Sequence, residues 1–202
     1  MKFIMREEFK IAYEKADEVL ARIGYKRQEM ISTSTVINAV EEMLGVDVKF
    51  TDFDFKKLSK NCKVDFDDYG AAMCVSGDEG ARKAVVLLNE RETPEMKRFS
   101  LVHELGHLMT QNYVNNGGYQ VSTHIDMDIT SIPDEILDQQ SNKFLIDEQV
   151  ANIFALLVLI PYDMLCTALG EVAKKKKTIE EVADFFGVEI SALFSRLKLA
   201  EA

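Results

Sequence analysis

The sequence predicts an α+β fold whose small sheet lies in the first half of the chain. Apolar residues recur at helical spacing over residues 5–23 and 35–44, and both runs stop at a glycine. Three short segments with strand patterns follow, at 46–50, 71–75 and 84–88. The rest of the chain carries helical patterns. Strands followed by a run of helices are typical of an α+β architecture.

The second half opens with a clear helix start at Thr93-Pro94-Glu95, where a capping residue, a proline and an acid follow one another. This helix is predicted to end near Gln111 and to be buried, because apolar residues cover most of its circumference. Residues 112–146 are polar and predict a long loop that is functional or partly structured. A second buried helix is predicted over about 147–160, and a short helix over 161–169.

The C-terminal part of the chain predicts a separate helical unit. Residues 178–198 indicate two helices hinged at Gly187-Val188, with the spacing of a helix-turn-helix. We therefore expect one domain over residues 1–172. A helix-turn-helix-like pair over 173–202 is expected to be packed on that domain or appended to it.

Composition excludes several classes of protein. The chain has 24 Lys and Arg against 34 Asp and Glu, a formal net charge of −10. Such acidity argues against a general nucleic-acid binder and against docking on an anionic membrane. The three scattered cysteines form neither a disulfide framework nor a four-cysteine zinc site. The longest apolar run, 150–160, is too short to span a bilayer. We expect a soluble, cytoplasmic protein, and the sequence predicts no oligomeric state.

Residues 103–107 read His-Glu-x-x-His on the predicted buried helix. Because positions i and i+4 share a helix face, His103 and His107 can reach one ion, and zinc accepts neutral imidazole nitrogen. Glu104 lies about 100° round the helix, beside the metal, where a carboxylate can act as a general base toward water. Two imidazoles and a carboxylate on a buried apolar helix are costly unless something pairs them. The motif therefore favours a metal site over histidines that only satisfy hydrogen bonds.

A catalytic zinc needs a third protein ligand, and Glu148 is the first candidate. Its face of the second buried helix would pack closely against Gly106, because the residues three, four and seven positions later are short: Ala151, Asn152 and Ala155. Asp147 is the rival ligand. An acid at a helix start also has a purely structural explanation, since it interacts favourably with the helix dipole.

The polar stretch supplies further candidates. His124, within a His-x-Asp-x-Asp alternation, is the remaining candidate ligand. It is also a candidate for stabilising an oxyanion, and Tyr113 and Tyr119 are equal rivals for that role. A solvated loop is the more common outcome for such residues.

These motifs resemble those of the ImmA/IrrE metallopeptidases. The similarity covers roughly residues 15–200 and is carried by two signatures, at 98–107 and 148–155. The resemblance implies a zincin-like, gluzincin-type fold. It implies a zinc ion held by His103, His107 and Glu148. It also implies that Glu104 is the catalytic base. It also implies that the substrate is a helix-turn-helix repressor, often one encoded by a mobile element or stress regulon.

We therefore expect a zinc endopeptidase that cleaves such a repressor. One alternative is an anti-repressor that binds its partner through the same fold without cutting it. The other is a DNA-binding regulator that uses residues 178–198. DNA contact is not expected, because that segment is acidic where a DNA binder needs a positive surface: Glu180, Glu181, Asp184 and Glu189.

Overall fold

The computed structural model describes residues 7–26, 29–57, 70–77, 82–110, 119–120 and 142–201. The helices of these ranges that the description uses are α1 (Glu7–Ile23), α2 (Thr33–Leu44), α3 (Pro94–Thr110), α4 (Asn142–Leu159), α5 (Tyr162–Ala173), α6 (Ile179–Phe186) and α7 (Ile190–Glu201). The strands are β1 (Val46–Phe53), β2 (Ala71–Ser76), β3 (Arg82–Asn89) and β4 (Tyr119–Gln120). The α+β class predicted from the sequence is confirmed.

The four strands form one sheet in the order β1-β3-β2-β4. β1 runs parallel to β3, whereas β2 is antiparallel to both β3 and β4. The three predicted strands are confirmed, and each is slightly longer than predicted. β4 was not predicted, because its two residues lie within the polar stretch and carry no strand pattern of their own.

Local signals in the sequence account for the helix starts. The Ser32 hydroxyl accepts a hydrogen bond from the Thr35 amide and caps α2. The Thr93 hydroxyl accepts from the Met96 amide at 3.1 Å, and Pro94 occupies the first position of α3, as predicted. Every residue of α3 from 100 to 109 is buried, so this part of the helix has no solvent face.

The start of α4 was wrongly predicted. The helix begins at Asn142, upstream of the expected residue 147, because residues 144–146, which the prediction assigned to the polar stretch, are Phe-Leu-Ile and continue the helical pattern. Glu148 therefore lies beyond the first turn rather than opening the helix. Since the helix-dipole effect falls off within the first turn, it does not explain an acid at this position.

α3 and α4 approach each other closely at Gly106. A Cβ at this position would lie 3.0 Å from Cδ1 of Phe154 and 3.1 Å from both the Cα and the carbonyl oxygen of Ala151. Real Cβ atoms rarely come this close to another helix backbone, so a larger residue would force the two helices apart. The close packing predicted from the short residues after Glu148 is confirmed.

The C-terminal helices contact the starts and ends of the central helices. Phe186 and Leu193 are fully buried in the same hydrophobic cluster as α4. The buried Arg196 donates from Nε to the Ile160 carbonyl, just beyond the end of α4, at 3.0 Å. At the other end, the Thr93 hydroxyl donates to Oε1 of Glu189 at 3.1 Å. The proposed division at residue 172 stays a prediction.

Within the described ranges, no single helix combines the length and hydropathy that a membrane crossing needs. α4 and α5 meet that requirement only when they are taken together, and they are bent by 63° relative to each other.

We predict that Gly106→Ala lowers the free energy of unfolding by about 1–3 kcal/mol, because the added methyl group overpacks the α3–α4 contact. Gly170→Ala is the matched control. A Cβ there has no neighbour within 4 Å, so the alanine should stabilise α5 by about 0.5–1 kcal/mol. Urea unfolding of both variants measures the difference. Equal effects of the two substitutions would contradict the close contact.

Candidate metal centre

The centre is built around two histidines of α3. His103 and His107 are almost completely buried, at 1% and 0% exposure. Their rings meet edge to face, with centroids 4.7 Å apart. The Nε2 atoms of the two rings lie 3.0 Å apart, so both imidazoles point to the same place, as the i, i+4 spacing predicts.

α4 brings Glu148 to these two nitrogens. Its Oε2 lies 3.2 Å from Nε2 of His103, and its Oε1 lies 3.2 Å from Nε2 of His107. The carboxylate is buried, and in the described part of the chain neither oxygen makes a hydrogen bond of regular geometry. A buried carboxylate without regular hydrogen bonds is costly, which indicates that a further positive group belongs here.

The spacing of these atoms suits a metal ion. Ligand atoms about 2.0–2.1 Å from a tetrahedral zinc ion stand about 3.3 Å from one another. The observed separations are 3.0 Å between the nitrogens and 3.2 Å from each nitrogen to a carboxylate oxygen. Two imidazole nitrogens and one carboxylate are a donor set that zinc prefers. His103, His107 and Glu148 therefore fit a metal ion and would hold it.

The pKa values of Glu148 and of its rival, Asp147, are shifted in opposite directions. Burial alone would raise the pKa of Glu148, but the two imidazoles beside it hold the pKa down to about 2. Glu148 is therefore ionised at neutral pH, as a ligand must be. Burial raises the pKa of Asp147, the neighbouring Glu148 carboxylate raises it further, and the Lys143 ammonium opposes that rise only in part. Asp147 is only partly buried and is not a member of the described ligand cluster.

Asn152 has a role that sequence reasoning missed. Its Oδ1 lies 2.8 Å from Nδ1 of His103. An amide oxygen in this position accepts a hydrogen bond from Nδ1–H, which leaves the lone pair of the neutral ring on Nε2, facing Glu148. Asn152 follows Glu148 by four residues and therefore shares its helix face. That spacing was the available signal, but it was interpreted only as an aid to packing.

Glu104, the predicted base, is fully buried on α3 directly after His103. The three residues predicted to stabilise an oxyanion are not brought to the centre by anything that the structure describes. Tyr113 and His124 lie outside the described residues. For Tyr119 only the backbone is described, and it pairs with Cys74 in the sheet. These roles stay predictions.

We predict that Asn152→Leu weakens zinc affinity by about 10- to 100-fold, the range typical for removal of a partner that orients a ligand histidine. Asn152→Asp should retain most of the affinity, because a carboxylate oxygen also accepts from Nδ1–H. Competition with a chromogenic chelator measures both affinities. Equal weakening by Leu and Asp would show that the amide itself, rather than the hydrogen bond to His103, is required.

A comparison with models of known protein families matches most of the chain. The sequence model of the Peptidase_M78 family, described as the IrrE N-terminal-like domain, matches residues 41–198. A search of curated proteins found no match. The matched region includes the four described strands and both helices that carry the ligand cluster. It confirms the resemblance inferred from the two signatures, and the chain therefore belongs to the Peptidase_M78 family.

Proposed function

We propose that this protein is a zinc-dependent endopeptidase. The observation that carries the proposal is the convergence of His103, His107 and Glu148 in one buried cluster, on two helices that pack through a glycine. These three residues would hold the ion and would leave room at it for water or substrate, as a catalytic site requires. Membership of a peptidase family supports the same conclusion.

A zinc ion bound by these ligands supplies a Lewis acid and favours ionisation of water at neutral pH. Glu104 acts as the general base: its carboxylate accepts a proton from the attacking water and delivers it to the leaving amine. Its burial supports this role, because a low-dielectric site strengthens the interaction of a carboxylate with the proton that it transfers. Asn152 holds the His103 ring in place throughout.

We further propose that the substrate is a helix-turn-helix transcriptional repressor and that the protein thereby acts as an anti-repressor. The support for this substrate is the family resemblance of the two signatures. The acidity of the chain, with a net charge of −10, favours a protein partner with a basic DNA-binding surface over DNA itself.

Three isosteric substitutions test the metal centre. We predict that Glu148→Gln loses most of the bound zinc, because it removes the charge from a ligand. Asp147→Asn should retain about one zinc per chain, since Asp147 is not a ligand. Glu104→Gln should also retain zinc. Elemental analysis after purification with added zinc measures all three. Zinc retained in Glu148→Gln but lost in Asp147→Asn would move the third ligand to the rival acid.

The substrate is tested with the same Glu104→Gln variant, which is expected to bind its target without cutting it. Partners captured by this variant are identified by mass spectrometry. New N-termini are then sought after each captured partner is mixed with the wild type. A repressor that the wild type cuts at one site, and that Glu104→Gln cuts at least 1,000-fold more slowly, is the expected result. A repressor that both proteins bind and neither cuts would favour the non-cleaving anti-repressor.

A further inference from the structure

Two hydrogen bonds show which backbone groups of β1 point away from the sheet. The Val48 amide donates to Oε1 of Glu41 at 2.8 Å, so Val48 turns its backbone away from β3. The Phe53 carbonyl accepts from the Glu90 amide at 3.0 Å and therefore faces β3. Because successive residues of a parallel strand alternate in direction, Phe50 and Asp52 turn their N–H and C=O groups outward, as Val48 does.

This outward edge is open to solvent. β1 is the last strand of the described sheet on this side. The four residues from Lys49 to Asp52 are exposed, and the Phe50 side chain is 53% exposed, an unusual value for a phenylalanine in a strand. Among the residues that the structure describes, the outward N–H and C=O of Phe50 have no hydrogen-bond partner. Glu41 occupies only the outward position at Val48.

A cavity of about 440 Å³ adjoins this edge. Phe50 and Asp52 line it from β1, Thr33 lines it from the start of α2, and Lys97 and Arg98 line it from the first turns of α3. A strand added beside β1 would lie about 4.8 Å away, and its alternate side chains would point to the same face as Phe50 and Asp52. Those side chains would lie over the cavity.

Arg98 gives the cavity a positive charge that no carboxylate of the described residues neutralises. Lys97 lies 2.9 Å from Oδ1 of Asp52, but within the described ranges no carboxylate pairs with Arg98. One Arg98 nitrogen, Nη2, donates to the Ile31 carbonyl, and Nε is buried without a partner. Burial lowers the pKa of Arg98, but from an ordinary value far above neutrality, so the guanidinium stays charged.

We propose that the β1 edge and this cavity form a docking site for an extended acidic segment of a partner protein. The segment adds as a strand beside Phe50 and Asp52, and one of its carboxylates pairs with Arg98. Strand addition uses backbone hydrogen bonds for affinity and side-chain pockets for specificity. A carboxylate is the natural partner of a guanidinium, because the hydrogen bond between two opposite charges is shorter and stronger than a neutral one.

The docking site is separate from the metal centre. The described ligand cluster lies on α3 and α4, whereas the docking edge belongs to β1. Arg98 precedes His103 by five residues, which places the two side chains about 140° apart around α3. The proposal therefore does not depend on peptidase activity, and metal binding provides an independent check that each variant is folded.

A library of random nine-residue peptides displayed on phage, selected on the full chain, is the probe for strand addition. We expect enriched peptides to share one Asp or Glu and to bind, when synthesised and labelled, at least 10-fold more weakly to Phe50→Pro. Proline removes the outward N–H, yet an edge strand tolerates it there because the ladder to β3 is untouched. Phe50→Thr, which keeps that N–H, is the control and should bind more tightly than Phe50→Pro.

A double-mutant cycle tests the contact with Arg98. Arg98→Gln, and replacement of the shared acid of the peptide by its amide, should each weaken binding about 10-fold. The two changes together should cost little more than either alone, since both break the same pair. Additive losses would overturn the assignment of the carboxylate to Arg98. Unchanged zinc content and thermal unfolding show that the variants are folded.

Three results would overturn the proposal itself. The first is a selection that enriches no peptide. The second is a set of enriched peptides that bind Phe50→Pro and wild type equally. The third is a wild-type dimer, seen by analytical ultracentrifugation, that Phe50→Pro dissociates, because the occupant of the edge would then be a second copy of this chain.

Discussion

The close contact of α3 and α4 at Gly106 is the constraint on which the metal centre depends. The two imidazoles and the carboxylate come from different helices, so their spacing is set by how near the helix axes approach. A Cβ at Gly106 would meet the backbone of Ala151 at 3.1 Å. Glu148 lies less than one turn before Ala151, and its oxygens stand 3.2 Å from both imidazoles. A wider separation of the helices would move those oxygens by a similar distance, because helices are stiff and move as units.

The same contact buries a charged carboxylate. Glu148 is buried at the interface, where a carboxylate is unfavourable, yet the imidazoles keep its pKa at about 2. The protein therefore holds a carboxylate in its interior, 3.2 Å from two imidazole nitrogens that, like it, are metal-ligand atoms. Asn152 adds orientation without adding charge, since its amide fixes the His103 ring and is itself neutral. The burial, charge and geometry of these groups all favour a cation between the two imidazoles and the carboxylate.

Different parts of α3 contribute residues to different sites. One face carries the ligand histidines toward α4. The first turns carry Lys97 and Arg98 to the cavity beside β1. The turn before α7 contacts this same region, because Gly187, at a φ of 61°, packs against Arg98. Arg196 of α7 donates to the carbonyl just beyond α4. The C-terminal helices thus contact both ligand helices away from the ligand atoms.

The sequence by itself determined the features that depend on neighbouring residues. Caps and glycines predicted most helix ends, and the i, i+4 spacing placed both histidines on one buried face. Only the tertiary structure brought Glu148 to within 3.2 Å of both imidazoles, because that contact depends on which side chain α4 presents to α3. It also decided the hydrogen bond that Asn152 accepts from His103 and the open edge of β1. Contacts between residues distant in the chain depend on packing and strand order, which no local pattern encodes.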